Sequence, residues 1–475
     1  MRDRARDQQA LFQKVAREAA VFRRGLVRRS QRPEAEYDEL REIFDEPTPE
    51  APTEEAAVIE DLIQQASPGL HAHAGPRFFG WVMGASHPVG VAADWLTSAW
   101  GQNGGNHLGS PAASAAEETA GRWLLDLLDL PRDSGFGFTT GATAANFVGL
   151  AAARGALLRR QGWDVEAKGL FGAPPVTVLI GADAHTSVRG ALQYLGFGRE
   201  AALEVVSDDQ GRMEPAALER QLAAAEGPCL VITQAGQVNS GAVDPHREIC
   251  ALAKAREAWV HVDGAFGLWA RACAEKAHLT EGIEAADSWA TDGHKWLQTP
   301  YDCGYAFVRD AEAQRRAMAI SASYLPPVAE GERDPTHFVP ELSRRARGFT
   351  TWAMIKALGR QGIDELVARH CRIARLMAER LAAEPGVAVL NDVVLNQVIL
   401  RFGSDRPEAE GDELTRRVIA RIQEDGRCFT GGADWRGRWV MRISVCAWST
   451  SEAEGASAAE AMVEAWQALR AEAEG

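Results

Sequence analysis

The spacing of apolar residues divides the chain into three parts. Between residues 5 and 30 apolar residues recur at helical spacing, which predicts an amphipathic helix packed on something outside its own domain. The acidic, proline-rich stretch EIFDEPTPEAPTEEA, which begins at residue 42, is typical of a linker. A compact segment follows and ends in HPVGVAADWLTSAWGQNGGN. We therefore expect a helical N-terminal segment over residues 1–109.

From about residue 110 to 310, strand-like runs alternate with helical runs. The strand-like runs are VTVLIGAD (176–183), CLVITQAG (229–236) and AWVHVDGAFG (258–267), with helical stretches such as EPAALERQLAAAE between them. This alternation predicts an α/β domain over residues 110–350, with a mainly parallel sheet covered by helices. Ligands in such folds lie outside the carboxyl ends of the strands.

After residue 350 the pattern changes. A long helical stretch (349–384) leads into the short strand-like runs VAVLND, NQVILRF and RWVMRISVCA. The final stretch, SEAEGASAAEAMVEAWQALRAEAEG, has helical spacing. These features predict a smaller α+β domain over residues 351–475.

Composition narrows the class of protein. A chain of 475 residues, 46% hydrophobic and 25% charged, is typical of a soluble globular protein with more than one core. Its net charge of −15 argues against nucleic acid or an anionic membrane as a partner. No run reaches the ~18 apolar residues of a membrane span, and the Arg-rich start lacks the apolar core of a secretory signal. The seven cysteines form no CxxC pair, which favours a reducing, cytoplasmic location; no His/Cys spacing indicates a metal site.

The stretch FGFTTGATAANFVGLAAAR (136–154) is a candidate phosphate site. Small residues open an alanine-rich helix, and the free N–H groups of a helix N-terminus bind phosphate well. The alternative is an ordinary turn capped by threonines. A dinucleotide site is disfavoured because the spacing is GxGxxxG and no strand clearly precedes it.

Two side chains follow predicted strands at one edge of the sheet. Asp263 ends the buried run AWVHV, where it either holds a cation in a pocket or caps a turn. His185 follows VTVLIGAD, and a lone histidine there is either a capping group or part of a site. Because both side chains fall at the same edge of the predicted sheet, the interpretation as part of a ligand site is favoured.

Lys295 stands alone among apolar and turn residues in DSWATDGHKWLQTPYDCGY (287–305). An ammonium is costly to bury, and a partly desolvated lysine has a lowered pKa and can form a Schiff base. Pyridoxal 5′-phosphate (PLP) offers an aldehyde for this lysine, a phosphate for the helix and a pyridine nitrogen for an acid. One cofactor would therefore engage all three features.

The same segments resemble the PLP-dependent amino-acid decarboxylases of the group that includes aromatic-L-amino-acid and glutamate decarboxylases. The resemblance runs from about residue 70 to about 450. DSWATDGHKW resembles the family's DSxxxDxHKW segment, its most specific motif here, and HVDGAFG resembles its HVDAA segment. The remaining similar stretches are HAGPRFFGWVMGAS, TTGATAANFVGLAAAR, DAHTSVRGALQYLG and SRRARGFTTW.

The resemblance implies a fold-type I, aspartate-aminotransferase-like fold and a homodimer with its active site at the subunit interface, where the N-terminal segment would pack. Lys295 would form the internal aldimine, and Asp263 would pair with the pyridinium nitrogen. His185 would stack on one face of the ring and Ala265 would lie against the other. The residues implied at the phosphate are Thr140, Gly141, Ala142, Thr143 and His294.

The chain departs from the family pattern at two places. Gln237 and Val238 stand where the family commonly has two threonines. Many members carry a loop tyrosine that protonates the product, and Pro335 falls at about its place here. His337 is the alternative proton donor, since imidazole titrates near neutral pH, or else an exposed loop histidine.

The resemblance places Phe79, Trp81 and Tyr324 near the substrate. Aromatic walls favour an aromatic or large apolar side chain, unless these residues only pack the core. Three arginines, at 344, 345 and 347, could instead attract an acidic substrate.

The expected reaction is decarboxylation of an L-amino acid to the amine and CO2. The alternatives are an aldehyde-forming oxidative deamination, an aminotransferase, and a protein that keeps the fold only to bind a partner.

Overall fold

Two β-sheets organise the chain. The computed structural model describes residues 2–320 and 333–474. The strands are β1 (Gly135–Thr139), β2 (Thr177–Gly181), β3 (Ala202–Val205), β4 (Cys229–Gln234), β5 (Trp259–Asp263), β6 (Ser288–Asp292), β7 (Gly304–Val308), β8 (Val387–Val389), β9 (Gln397–Phe402), β10 (Gly431–Trp435) and β11 (Arg438–Ser444).

The α-helices are α1 (Arg2–Gly25), α2 (Tyr37–Phe44), α3 (Glu55–Ala66), α4 (Pro88–Trp100), α5 (Pro111–Leu127), α6 (Ala142–Arg160), α7 (Val165–Lys168), α8 (Thr186–Tyr194), α9 (Pro215–Ala224), α10 (His246–Ala255), α11 (Ala311–Met318), α12 (Arg347–Ala382), α13 (Glu408–Asp425) and α14 (Glu452–Glu474). Short 3-10 helices lie at Ser67–Gly69, Gly267–Ala272, Ala277–Thr280, Ile283–Ala285 and Pro335–His337.

The large sheet has seven strands in the order β1-β7-β6-β5-β4-β2-β3. Strands β6, β5, β4, β2 and β3 run parallel to one another, and β7 runs antiparallel to both β1 and β6. The central strands are buried along their whole length because helices cover both faces. The mainly parallel sheet predicted from the βα alternation is confirmed.

Alternate residues of these strands pack into hydrophobic cores on opposite faces of the sheet. Leu230 and Ile232 pack with α6 and α8, whereas Val231 of the same strand packs on the opposite side of the sheet. This two-sided cover leaves only the strand ends open, so the carboxyl edge of the sheet is where a site can form.

The small sheet is antiparallel, in the order β10-β11-β9-β8, and packs against α12, α13 and α14. Its three predicted strands are confirmed. The backbone of α12 breaks at Gly359, where φ is 60° and ψ is 178°. Side chains of α12 up to Cys371 belong to the large core and those from Ile373 onward to the small core. The change of core thus falls inside this helix, beyond the boundary predicted at residue 350.

The N-terminal helices contribute little to either core. Helices α2 and α3 bury none of their residues, and apolar side chains such as Phe12 and Leu62 are exposed. Among the described residues, no helix combines the length and the apolar character needed to cross a bilayer.

Candidate active site

A cavity of about 320 Å³ opens at the carboxyl edge of the large sheet. The segments that follow β1, β2, β4, β5 and β6 meet there, because the parallel strands end at the same edge. All nine residues predicted to bind the cofactor line this cavity: Thr140, Gly141, Ala142, Thr143, His185, Asp263, Ala265, His294 and Lys295.

Lys295 points its amine at a buried carboxylate. Its Nζ lies 3.0 Å from Oδ2 of Asp292, the last residue of β6, and 5.9 Å from the ring centroid of Phe266. The ring of His294, the preceding residue, stacks on Tyr301, with ring centroids 4.4 Å apart. Burial lowers the pKa of His294, so this imidazole is neutral at pH 7.

The N-terminus of α6 forms one wall of the cavity. A side chain at Gly141 would place its Cβ 3.1 Å from Cε1 of His294 and 3.2 Å from Oδ1 of Asp292, so glycine is needed for this close approach. The hydroxyl of Thr139 donates to the carbonyl of Gly141 over 3.1 Å and holds the turn. Backbone N–H groups and hydroxyls at this position suit the phosphate of PLP.

Asp263 ends β5 and is buried at the base of the cavity. Its Oδ1 accepts a hydrogen bond from the backbone of Ala265 over 3.2 Å. Burial raises the pKa of this carboxyl, and the nearby charges of His185 and Lys295 oppose the rise. A buried carboxylate can accept a hydrogen bond from a protonated pyridine nitrogen, so the residues present fit PLP.

His185 caps α8 and lines the cavity at its rim. Its Nδ1 accepts from the backbone N–H of Ser187 over 3.2 Å and lies 2.7 Å from the hydroxyl of the same residue. Desolvation on the cavity side lowers the pKa of the imidazole, although the residue as a whole is exposed. His185 therefore caps α8, one of the two roles considered from the sequence, and its position in the cavity lining leaves the site role open to it.

Several cavity residues were not singled out from the sequence. Asp292 lies within the quoted lysine motif and ends a strand, as Asp263 does, which is the signal that could have found it. The others are Ser187, Gln234, Gly236 and Phe266; Val238, noted from the sequence only as a departure from the family pattern, also lines the cavity.

Arg442 of β11 approaches the cavity from the small domain. It donates to the backbone carbonyl of Val238 over 2.5 Å, and its charge lowers the pKa of His185. Its Nε is buried without a hydrogen-bond partner, and within the described residues no carboxylate pairs with it. Burial lowers the pKa of Arg442 to about 10, so it remains a cation at neutral pH.

Of the predicted substrate and proton-transfer residues, Phe79, Trp81 and His337 lie outside the cavity lining. Phe79 is buried in the small-domain core, and Trp81 is 57% exposed beside Phe78 and Phe429. His337 is half-buried at the end of a 3-10 helix. Tyr324 lies outside the described residues.

The three arginines considered from the sequence as an attraction for an acidic substrate each pair with an acid of the same chain. Arg344 bonds to buried Glu117 at 2.6 and 2.8 Å. The other two form ion pairs, Arg345 with Asp94 at 2.7 Å and Arg347 with Asp302 at 3.0 Å. These contacts favour a structural role over attraction of an acidic substrate. In the part of the chain that the structure describes, no group of three or more His, Cys, Asp or Glu residues could hold a metal ion.

A lysine, a buried acid and a helix N-terminus at one edge of a mainly parallel sheet define a fold-type I PLP-dependent enzyme. The fold agrees with a crystal structure of Oryza sativa TDC with PLP and tryptamine: the TM-score is 0.90 at 24% identity, over 98% of each chain. The chain belongs to the pyridoxal-dependent decarboxylase family, whose conserved domain matches residues 38–402. It is a PLP-dependent carboxy-lyase, as the sequence motifs indicated.

Two relatives illustrate the range of the family. An L-2,4-diaminobutyrate decarboxylase of Rhizobium meliloti (strain 1021) is 32% identical, over 82% of this chain and 78% of the relative. Tyrosine decarboxylase 2 of Narcissus pseudonarcissus is 26% identical, over 91% of this chain and 87% of the relative.

Proposed function

We propose that the protein converts an aromatic or large apolar L-amino acid to its amine and CO2. The observation that carries the proposal is the meeting of Lys295, Asp263 and the N-terminus of α6 in one cavity. The similarity to a tyrosine decarboxylase supports the aromatic preference.

When bound, PLP withdraws electrons from the α-carbon so that CO2 can leave. Lys295 supplies the amine that bonds to the cofactor, and the buried carboxyl of Asp263 supplies a charge that keeps the pyridine nitrogen protonated. Arg442 offers a cation without an acidic partner, which suits it to attract the substrate carboxylate. The walls of the cavity then orient the bond to be broken and limit access of water.

The acids of the cavity argue against a substrate with a second amine. Such a substrate needs a carboxylate free to bind its side-chain ammonium. Among the described lining residues the acids are Asp263, which would pair with the pyridine nitrogen, and Asp292, which lies at the N-terminus of α6 on the phosphate side of the cavity. We therefore propose a substrate with an apolar side chain rather than one with a second amine, despite the similarity of the chain to a diaminobutyrate decarboxylase.

We also propose His337 as the group that delivers a proton to the α-carbon. Its imidazole is half-buried, and burial lowers its pKa. At pH 7 it would be mainly neutral and would relay a proton from water rather than begin as an imidazolium. We retain Phe79, Trp81 and Tyr324 as proposed substrate contacts. Of Phe79 and Trp81, Trp81 has the more exposed ring.

A homodimer in the cytoplasm is part of the proposal. Exposed apolar side chains on the N-terminal helices and on α4, among them Phe12, Leu62, Trp95 and Trp100, suit a protein interface. The seven cysteines are all unpaired and buried, which suits a reducing compartment.

A CO2-release assay with separated products tests the reaction. The PLP-loaded protein is incubated with each common L-amino acid and with L-2,4-diaminobutyrate. Release of CO2 together with an aromatic amine is the expected result. CO2 with an aldehyde would move the reaction to oxidative deamination, and CO2 only from diaminobutyrate would contradict the proposed substrate class.

A further inference from the structure

The carboxylate of Asp292 lies between two groups that PLP would engage. Its Oδ1 accepts a hydrogen bond from the backbone N–H of Ala142 over 2.6 Å, and its Oδ2 lies 3.0 Å from Nζ of Lys295. Nε2 of His294 is 3.4 Å from the same carboxylate. The side chain of Asp292 is only 3% exposed, so these contacts compensate for the burial of its charge.

These contacts conflict with an occupied cofactor site. The first N–H groups of α6 suit a phosphate, and a second anion at the same helix N-terminus would repel it strongly inside a protein. A lysine held as an ammonium by a carboxylate must also lose a proton before its nitrogen can bond to an aldehyde. The carboxylate of Asp292 and the phosphate of PLP would therefore compete for the N-terminus of α6.

We propose that Asp292 is a positioning residue that holds Lys295 and the N-terminus of α6 while neither is bonded to PLP. Binding of the cofactor displaces the carboxylate from the helix. In this role Asp292 compensates the amine of Lys295 and the N–H of Ala142 and slows the entry of the phosphate.

Reconstitution of the cofactor-free protein tests the proposal. Asp292→Asn keeps the size of the side chain and an oxygen for the N–H of Ala142, but removes the negative charge. We expect PLP to bind this variant faster and more tightly than the wild type, by at least about tenfold, because one of two competing anions is gone. The rate and the dissociation constant are read from the visible absorbance of the bound cofactor.

Asp287→Asn is the matched control. Asp287 immediately precedes β6, about 16 Å along the strand from Asp292, and its carboxylate also accepts a backbone N–H, that of Val260, over 2.8 Å. It does not line the cavity. Its variant should load PLP as the wild type does.

Inorganic phosphate provides a readout that does not involve the lysine. Phosphate should raise the unfolding temperature of cofactor-free Asp292→Asn more than that of the wild type. If the asparagine variant folds poorly, both measurements are made on Asp292→Ser instead, because serine is neutral and caps helices well.

Three outcomes would overturn the proposal: unchanged or weaker PLP binding by the neutral variants, an equal effect of phosphate on all proteins, or failure of both neutral variants to fold. A wild type that binds no PLP at all would instead contradict the cofactor assignment. The test uses cofactor binding alone, so its result is separate from the choice of substrate.

Discussion

The indole N–H of Trp296 donates to Nδ1 of His370 over 2.9 Å, and both residues are fully buried. Nε2 of His370 donates in turn to the backbone carbonyl of Ala447 over 3.0 Å. Burial lowers the pKa of His370 to about 3, so the imidazole is neutral with its proton on Nε2. This pair ties the residue after Lys295 to α12 and to the segment that follows β11.

Replacing His370 should therefore destabilise the protein. In His370→Leu the N–H of Trp296 and the carbonyl of Ala447 lose their partners, and we expect the free energy of unfolding to fall by about 2–4 kcal/mol. His370→Asn should cost less, since its carbonyl oxygen can still accept from Trp296. Urea unfolding of the cofactor-free proteins measures both changes, and equal losses would contradict the role assigned to the Trp296 contact.

Stability should fall on mild acidification. Burial lowers the folded pKa of His246, His261 and His370 to about 3, below the unfolded value of about 6.5. The unfolded chain thus binds more protons between these values, and stability is lost as pH falls below about 6.5, by up to about 1.4 kcal/mol per pH unit for each histidine.

Asp244 acts in the opposite direction over part of this range. Burial raises its folded pKa to about 7. Its stabilising contribution to the free energy of unfolding is therefore present at low pH and is lost as pH rises from about 4 to 7. From these three histidines and Asp244 we expect the free energy of unfolding to change with pH with a net slope of about two protons near pH 5. The slope should be steeper in Asp244→Asn. Unfolding free energies between pH 4.5 and 7 measure it; a flat profile would show that the histidines are not held neutral.

The sequence predicted what depends on local pattern. The strands β2, β4 and β5 are short runs rich in β-branched residues, and the positions of His185 after β2 and of Asp263 at the end of β5 predicted that both lie at one edge of the sheet. Strand β1 was missed because GFGFT has the composition of a turn. Tertiary packing imposes the strand, since a Cβ at Gly137 would lie 2.5 Å from the carbonyl of Phe338.

Contacts between distant segments could not be read from the sequence. Asp292 meets Ala142 across 150 positions of the chain. Gln298, three residues after the lysine, has an unusual φ of 60° and binds Lys295, Ala85 and Cys446 through its buried amide. Neither role has a local signature, because each depends on which strand ends and loops the fold brings together.

Removing the amine of Lys295 should abolish catalysis. In Lys295→Ala we expect CO2 release to fall by more than about 10³-fold, because the covalent link to the cofactor is lost. The visible absorbance of bound PLP should change as well. Lys254→Ala, on α10 and outside the cavity, is the control; substantial activity in the Lys295 variant would contradict the assignment of the nucleophile.

The buried acid of β5 should matter for turnover more than for folding. Asp263→Asn removes the charge that keeps the pyridine nitrogen protonated, so we expect kcat to fall by about 10²–10⁴-fold while PLP still binds. Asp287→Asn provides the comparison, as a half-buried carboxylate whose pKa burial also raises and that lies away from the cavity. Equal kcat values for the two variants would remove Asp263 from the mechanism.

The fate of the product should depend on His337. If this imidazole relays the proton to the α-carbon, His337→Gln slows amine formation by about 10²–10⁴-fold and raises the share of aldehyde, while the absorbance of bound PLP stays unchanged. His278 lies on another short 3-10 helix, Ala277–Thr280, and is exposed, so His278→Gln is a matched control. Chromatographic separation of amine and aldehyde, alongside CO2 release, measures the partition. An unchanged rate and product ratio in His337→Gln would exclude the relay and direct the search for the donor to other groups that reach the cavity.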